Sequence, residues 1–384
     1  MTDKSKITPI CMKKIIKVCH FSSVHKDNDV RVFSKECLTL ATAGYDTTLI
    51  ACDSQQDSDQ VRLIKIKDQG GRLRRIFFRS FRVYRAALST KADIFHFHDP
   101  ELLPYGLLIK LTTRAKTVYD SHECYPEDIR NKEWLPRPIR VPVARAYQLL
   151  EDLAVRRLDL VVAATPYIHK RFERIARRVV TVNNYPKREE FAIEASSDTA
   201  SIRDGVCYVG AISEIRGILP FLDSLSYTQP SIKVYIAGSF ANDAIKEAAF
   251  SHPNWRRVEY YGQVSRSQIR QIYKRSFAGI VNFLRAPNHE YSQPNKLFEY
   301  MAAGIPVIAS DFALWKQIVE PTPCGITVQP DSALALANAI NLLYEDRALA
   351  HAMGRSGVHA IATQYSWEQE GIKLINAYRE ICAT

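Results

Sequence analysis

No run of about 18 apolar residues, the length that a membrane-spanning helix needs, occurs in the sequence; the nearest approach, Leu102–Ile109, is broken by Pro104 and Gly106. The opening MTDKSKITPICMKKIIKVCH lacks the apolar core and small-residue cleavage site of a signal peptide, so a cytoplasmic location is expected. The eight cysteines (Cys11, Cys19, Cys37, Cys52, Cys124, Cys207, Cys324, Cys382) include no Cys-x-x-Cys pair. That scatter argues against a disulfide framework and against a zinc site, and the thiols are read as reduced. Asp53, Asp57 and Asp59 stand in a Gln- and Ser-rich stretch and read as solvated, so no metal is expected. Self-similarity at a fixed period is absent too, which rules out a solenoid.

What is present is an ordinary globular composition, 46% apolar and 24% charged over 384 residues, enough at roughly 150 residues per domain for two domains. The net charge of +11 is unevenly placed: residues 1–190 hold 35 Lys and Arg against 23 Asp and Glu, whereas residues 191–384 hold 17 against 18. The natural partners of such an N-terminal half are phosphates, anionic lipid or nucleic acid. Short β-branched runs alternate with helical patterns throughout, the mark of α/β layers around parallel sheets. Strands are expected at Lys14–Phe21, Asp46–Ala51, Asp93–His98, Lys116–Tyr119, Leu160–Ala164 and Val179–Asn183, then at Val206–Val209, Lys233–Ala237, Arg257–Tyr260, Gly279–Phe283, Pro306–Ala309 and Gly325–Val328. Between the first two, Val32, Phe33, Leu38 and Ala41 recur at helical spacing up to Gly44, completing a right-handed βαβ unit. The fold class is therefore α/β with two facing, doubly wound, Rossmann-like domains: 1–190, a polar linker 191–205, and 206–364, followed by a tail 365–384. In such sheets ligands bind at the carboxyl ends of the strands, and a ligand is expected between the halves.

Two stretches carry candidate chemistry. In NFLRAPNHEYSQPNKLFEYMAAGIPVI, residues 282–308, a strand ends, a polar loop follows, and a helix is expected from near Ser292 to Gly304 with Pro294 in its first turn. Free N–H groups at its start, beside Lys296, suit a diphosphate, and Glu299 one turn on suits a ribose diol. A solvated Lys and Glu on an ordinary βα unit is the alternative. In YVGAISEIRG, residues 208–217, a strand opens at Gly210 and brings Arg216 to the next helix, where a guanidinium can grip phosphate and stabilise a leaving diphosphate. A solvated loop arginine is the alternative there.

These segments resemble the retaining glycosyltransferases of family 4, which have the two-domain GT-B architecture and take nucleotide-sugar donors. YVG…RGI is similar to that family's entry into the donor domain, PNKLFEYMAAGIPVIAS to its donor-binding helix and strand, and Tyr365-Ser366-Trp367-Glu368 to the start of a C-terminal helix that packs back on the first domain. Asp29–Glu36, Phe97-His98-Asp99-Pro100 and Tyr119-Asp120-Ser121-His122-Glu123 resemble a bacterial surface-polysaccharide branch. By this resemblance Glu299 matches the second glutamate of a Glu-x7-Glu motif and contacts the ribose. The first glutamate's place holds Tyr291, with Glu290 beside it. Arg216 matches a pyrophosphate-binding cation; its usual partner after the glycine is Ala211 here, and Lys296 is the candidate substitute. Gly210, Ser292, Asn295 and Leu297 complete the implied donor set.

The implied reaction moves a hexose-type sugar from a UDP- or GDP-linked donor with retention, with no cofactor beyond that substrate. Arg216 and Lys296, with His122 and Asp99, are the catalytic candidates, and Asp29, Arg31, His98 and Glu123 those on the acceptor side. A sugar-nucleotide epimerase or phosphorylase of the same fold, or a degenerate binding subunit, is the alternative. Residues 69–92, QGGRLRRIFFRSFRVYRAALSTKA, contain six arginines, one lysine and no acid. With Arg72, Arg75, Arg79 and Arg82 near one face and Phe77 among the apolar residues, they read as an interfacial helix for an anionic inner-membrane surface, or else as a solvated charged face. Arg137–Arg178 is a second basic stretch, with ten Lys and Arg against four acids. The expected acceptor is a polyprenyl-diphosphate-linked glycan of capsule, O-antigen or exopolysaccharide synthesis; no nucleic-acid module is visible.

Overall fold

The β-branched runs form strands because both of their faces are covered: successive side chains point to opposite sides, and in each sheet both sides are apolar for most of their length. The computed structural model describes residues 15–52, 58–67, 71, 74–132, 135–193 and 203–383. It divides into two units, Met1–Val182 with Lys373–Thr384, and Asn183–Ile372.

The first unit holds seven parallel strands: β1 (Lys17–Lys26), β2 (Asp46–Cys52), β3 (Arg62–Ile66), β4 (Ile94–Phe97), β5 (Lys116–Ser121), β6 (Leu160–Ala163) and β7 (Val179–Thr181), in the order β3-β2-β1-β4-β5-β6-β7. Strand β3 was not expected. It lies at the sheet edge, and its sequence RLIKI breaks the apolar run with Arg62 and Lys65, both exposed. The first strand begins at Lys17; Lys14 lies outside the described residues. Cys19, Phe21, Phe95, Phe97 and Tyr119 share one face with a large apolar cluster that includes Val83, Leu103, Ile109 and Ala154 from the helices on that side. The alternate residues His20, His96, His98 and Asp120 are buried as well. A π-helical stretch Val30–Cys37, running into the α-helix Leu38–Thr42, follows β1, and Asp29 caps it by accepting from the N–H groups of Arg31 and Val32.

The second unit holds six parallel strands: β8 (Gly205–Val209), β9 (Lys233–Ala237), β10 (Val258–Tyr260), β11 (Ser276–Val281), β12 (Val307–Ser310) and β13 (Gly325–Val328), in the order β10-β9-β8-β11-β12-β13. Cys207 and Val209 face one apolar cluster, Val206 and Tyr208 the other. In each sheet the strand order reverses beside the first strand, at β1/β4 and at β8/β11. This switch point is where an open α/β sheet leaves a crevice beyond its carboxyl ends.

The boundary falls at Val182 rather than at residue 190. Residues 183–193 are stitched into the second unit: Asn183 donates to Glu370 from both its backbone N–H (2.7 Å) and Nδ2 (3.2 Å), Trp367 donates to the Pro186 carbonyl (2.9 Å), and Phe191 is buried against Tyr273. Of the expected linker, residues 194–202 lie outside the described residues. The tail is a single helix, Trp367–Cys382, that begins in the second unit and ends in the first. Among the described residues no helix is long and apolar enough to cross a membrane.

Gly238, just past β9, has φ +145°, and a Cβ on it would lie 1.7 Å from the Gly210 carbonyl oxygen. Replacing Gly238 by Ala should cost more than about 1 kcal/mol, because both the conformation and the space are wrong. Calorimetry should show the second unit melting at least about 2 °C lower; an unchanged midpoint would contradict this packing.

Candidate functional site

In the second unit the chain leaves β8 at Val209 and turns at Gly210, with φ +132°. A Cβ there would stand 3.6 Å from Lys296 Cε and 3.9 Å from Arg216 Nη1, so two cations from separate elements converge on this turn. Arg216 ends the short 3₁₀ turn Glu214–Arg216, whose carbonyl accepts from Tyr208 OH at 3.1 Å. Its guanidinium lies over the Phe283 ring, 5.2 Å from the centroid, and pairs with no carboxylate among the described residues. Lys296 donates to Glu299 Oε2 at 2.5 Å, and Tyr273 OH donates to the same oxygen at 2.9 Å. Glu299 is only 7% exposed, yet its Oε1 has no hydrogen-bond partner among the described residues. The pair is thus held by one oxygen with the other open to a ligand.

The helix carrying these groups runs Asn295–Ala302, not from Ser292. A separate short helix, Pro287–Glu290, precedes it, and Pro294 is its extended cap rather than part of its first turn. Ser292 is tied elsewhere: its Oγ donates to the His289 carbonyl (2.9 Å) and its own carbonyl accepts from Trp315 Nε1 (2.8 Å). Leu297 turns its side chain fully into the core, so only its backbone adjoins this site. Asn295 is exposed on the first turn, Tyr291 is half exposed, and Glu290 lies 4.0 Å from Arg285 Nη1.

In the first unit, residues following β1, β4 and β5 meet the capped helix. Arg31 grips Asp120 with both Nε (3.1 Å) and Nη2 (2.8 Å), while Nη1 donates to the Val182 carbonyl (2.8 Å). Burial alone would raise the Asp120 carboxyl, but the Arg31 charge and the bonds from His122 and His98 hold it well below its usual range. Asp120 Oδ2 in turn receives His122 Nε2 at 2.7 Å and His98 Nδ1 at 3.1 Å. His98 is fully buried, and that burial lowers its pKa despite Asp120. His122 keeps partial exposure, 16% of its side chain, with its ring 5.0 Å from that of His25. Asp29 Oδ2 holds His25 Nδ1 at 3.0 Å, and Asp99 Oδ1 is 3.7 Å from His25 Nε2.

Asp99 itself is consumed by structure: Oδ2 accepts from Ser23 N (2.5 Å), Ser22 Oγ (2.8 Å) and Ser23 Oγ (3.2 Å). It holds the C-terminal part of β1 instead of standing free as a base. Glu123 is exposed, and its carboxylate has no ion pair among the described residues.

Two family models match the chain. "Glycosyltransferase Family 4" takes in residues 31–185 and "Glycosyl transferases group 1" takes in residues 190–359, in that order along most of the sequence. The chain belongs to the family 4 glycosyltransferases. The Bacillus subtilis (strain 168) protein TuaH, named for a glycosyltransferase role in teichuronic acid biosynthesis, is 22% identical over 231 residues, 56% of each chain. The chain spans about half the length of the curated relatives it matches. Among solved structures, sucrose-phosphate synthase from Thermosynechococcus elongatus superimposes with a TM-score of 0.77 at 17% identity, covering 96% of this chain and 99% of that one. Anabaena HepE in complex with UDP and glucose gives 0.71 at 15% identity, covering 95% and 99%. At these identities the likeness establishes the GT-B fold.

The basic helix of this glycosyltransferase differs from expectation. Arg75 pairs with Glu101 at 2.9 Å, and Arg79 donates to the Ser23 carbonyl at 3.0 Å. One turn apart, the two share the inward face. The outward face carries Arg74, Phe77, Phe78, Phe81, Arg82 and Arg85, with Phe77 and Phe78 64% and 72% exposed. Arg72 lies outside the described residues, as do Asp53 and Asp57; Asp59 is exposed. Sequence reading missed Tyr273 and Phe283 around the cations, and His20, His25, Glu36, His96 and Tyr378 in the first unit. The signal for His96 was its spacing from His98: two residues apart in a strand puts both on one face. No such signal existed for Tyr378, which arrives from the far end of the chain.

Burial pushes the His25 imidazole down, but its bond to Asp29 and the charges of Asp99, Asp29 and Asp120 outweigh this and raise its pKa above the usual 6.5. Protonated His25 therefore stabilises the fold fully below pH 6.5, and that contribution is lost as pH rises through the raised folded value. Urea titrations of the native protein should show stability falling across that window, and His25→Gln should flatten the fall. An identical pH profile in the variant would disprove the assignment.

Proposed function

We propose that this glycosyltransferase moves a hexose-type sugar, with retention, from a UDP- or GDP-linked donor to a hydroxyl of a lipid-linked glycan in surface-polysaccharide synthesis. The observation that carries the donor half is the convergence of Arg216 and Lys296 on the Gly210 turn at the β8/β11 switch point. An unpaired guanidinium, an ammonium and the N–H groups at the start of Asn295–Ala302 make a cradle for a diphosphate. Glu299 Oε1 stands ready for the ribose. HepE, of the same fold, is described in complex with UDP and glucose, which supports a uridine nucleotide.

Chemically, the bond from the sugar's anomeric carbon to the diphosphate oxygen breaks and its electron pair leaves on the diphosphate. The acceptor oxygen bonds to the same carbon from the same face, and its proton passes to the departing diphosphate oxygen. Arg216 and Lys296 stabilise the charge that grows there. His122, held by Asp120 and partly exposed, is the group on the first unit suited to orienting the acceptor hydroxyl.

Arg216→Ala should lower turnover by about 10²–10³-fold, the usual cost of removing one such donor. Glu299→Gln should weaken nucleotide binding by about tenfold or more, as loss of one charge-assisted bond implies. Transfer assays with a panel of UDP- and GDP-sugars, together with thermal shifts, check both; full activity in the two variants would sink the assignment.

The acceptor half rests on the outward face of the basic helix. Phe77, Phe78 and Phe81 with Arg74, Arg82 and Arg85 form an interfacial surface. The helix Arg137–Val155 of the same unit adds exposed Val141, Leu149, Leu150 and Leu153 beside Arg137 and Arg145. Each arginine near an anionic leaflet contributes about 1 kcal/mol. Sedimentation with vesicles should show binding to anionic but not neutral lipid, weakened by salt and by Phe77→Ser with Phe78→Ser. Equal binding to both vesicle types would return this surface to ordinary solvent.

A further inference from the structure

Beneath His122 lies a second cluster that the donor and acceptor chemistry does not use. His20 in β1 and His96 in β4 are register partners on adjacent parallel strands, and His98 follows two residues on. The ring centroids are 4.4 Å apart for His20 and His96, 4.6 Å for His96 and His98, and 5.2 Å for His20 and His98. Glu36 enters from the helix after β1. All four side chains are completely buried. One ligand atom from each lies within 4.8 Å of one from every other.

Hydrogen bonding leaves this group in deficit. His20 Nε2, His96 Nε2 and both oxygens of Glu36 are buried without a hydrogen-bond partner among the described residues. Arg31 Nε is 3.1 Å from Glu36 Oε1, but as an ionic contact without hydrogen-bond alignment, and Arg31 already spends its fork on Asp120. Native interiors rarely leave so many polar atoms unsatisfied together.

For His98 and His96 the outer contacts match those of ligating histidines. Such a ring usually gives its other nitrogen to a carboxylate or a comparable partner, which fixes tautomer and orientation. His98 Nδ1 meets Asp120 Oδ2 at 3.1 Å, leaving Nε2 to face His20 Nδ1 at 3.0 Å. His96 Nδ1 meets Tyr378 OH at 2.7 Å, leaving Nε2 free. His20 Nδ1 is 4.0 Å from Glu36 Oε2. Four N and O ligands about 2.0–2.2 Å from a tetrahedral ion are themselves roughly 3.3 Å apart, a spacing that the 3.0 and 4.0 Å contacts bracket.

We propose that His20, Glu36, His96 and His98 form a closed, four-ligand site for one divalent transition-metal ion of the zinc class. With all four positions taken by the protein, the ion is structural: it ties the ends of β1 and β4 to the helix after β1 and, through Tyr378, to the C-terminal helix. This site is independent of the donor reading and can stand or fall without it.

The test uses the full untagged chain purified without chelator, with metal content measured by mass spectrometry. One zinc per chain is expected. After chelator treatment, added ZnCl2 should restore the thermal midpoint, and CoCl2 should give the intense visible bands of tetrahedral cobalt. Tyr378→Phe keeps every ligand and the aromatic packing while removing only the outer bond to His96, so it should weaken metal affinity about 10–100-fold. Loss of the cobalt bands in His96→Gln identifies the ligand directly. A chain that carries no stoichiometric metal and whose midpoint ignores added zinc overturns the proposal. So does cobalt whose spectrum is the same in wild type, Tyr378→Phe and His96→Gln, which would mark an adventitious ion only.

Discussion

A parallel sheet covered on both faces gives its central strands no access to water, so any polar side chain there must find a partner inside the protein. The first unit places His20, His96, His98 and Asp120 on such strands, and the rest of its polar architecture follows from that. Arg31 is brought back over the sheet by the helix that Asp29 caps, and its bidentate hold on Asp120 neutralises that buried carboxylate. Breaking a pair of this kind typically costs about 3–5 kcal/mol. Asp120 then serves two histidines at once, one sealed in the interior and one at its edge.

The second unit meets the same constraint with less polar machinery. Its strand ends are apolar or glycine, and the charges come from the segments that follow: Arg216 after β8, and Lys296 and Glu299 on the helix after β11. Two glycines in contact, Gly210 and Gly238, let the backbone of adjacent strand exits approach more closely than any side chain would allow. Beside that turn Lys296 is held by Glu299, while Arg216 lies over the Phe283 ring.

How far the sequence could be read depended on whether a feature was local. Strands showed as β-branched runs, and twelve of the thirteen were legible; β3 was not, because this short edge strand has exposed Arg62 and Lys65 within it instead of an apolar run. Arg216, Lys296 and Glu299 were legible because each is near a glycine or a helix start within one βα unit. Arg75 and Arg79 were misread because helical spacing shows that they share a face, but not which face the neighbouring Glu101 and Ser23 will occupy. The ties that hold residues 183–193 in the second unit escaped for a similar reason: Asn183 reads as a strand end and Phe191 as the start of a polar connector until Glu370 and Tyr273 arrive from far along the chain. The histidine cluster combines residues 20, 36, 96 and 98, a grouping that only the strand order creates.

The C-terminal helix has a further meaning for the order of assembly. Lys373–Thr384 belong to the first unit, and Tyr378 is fully buried there against His96 and beside Tyr45. During synthesis the whole of Asn183–Ile372 is made before those residues exist. The N-terminal unit, although begun first, is therefore completed last, and until then His96 lacks its phenolic partner. Domains usually fold in the order in which they are made; here the second unit can reach its final form while the first still waits for its closing segment. A chain ended before residue 373 would keep every residue of the second unit and lack the segment that seals the first.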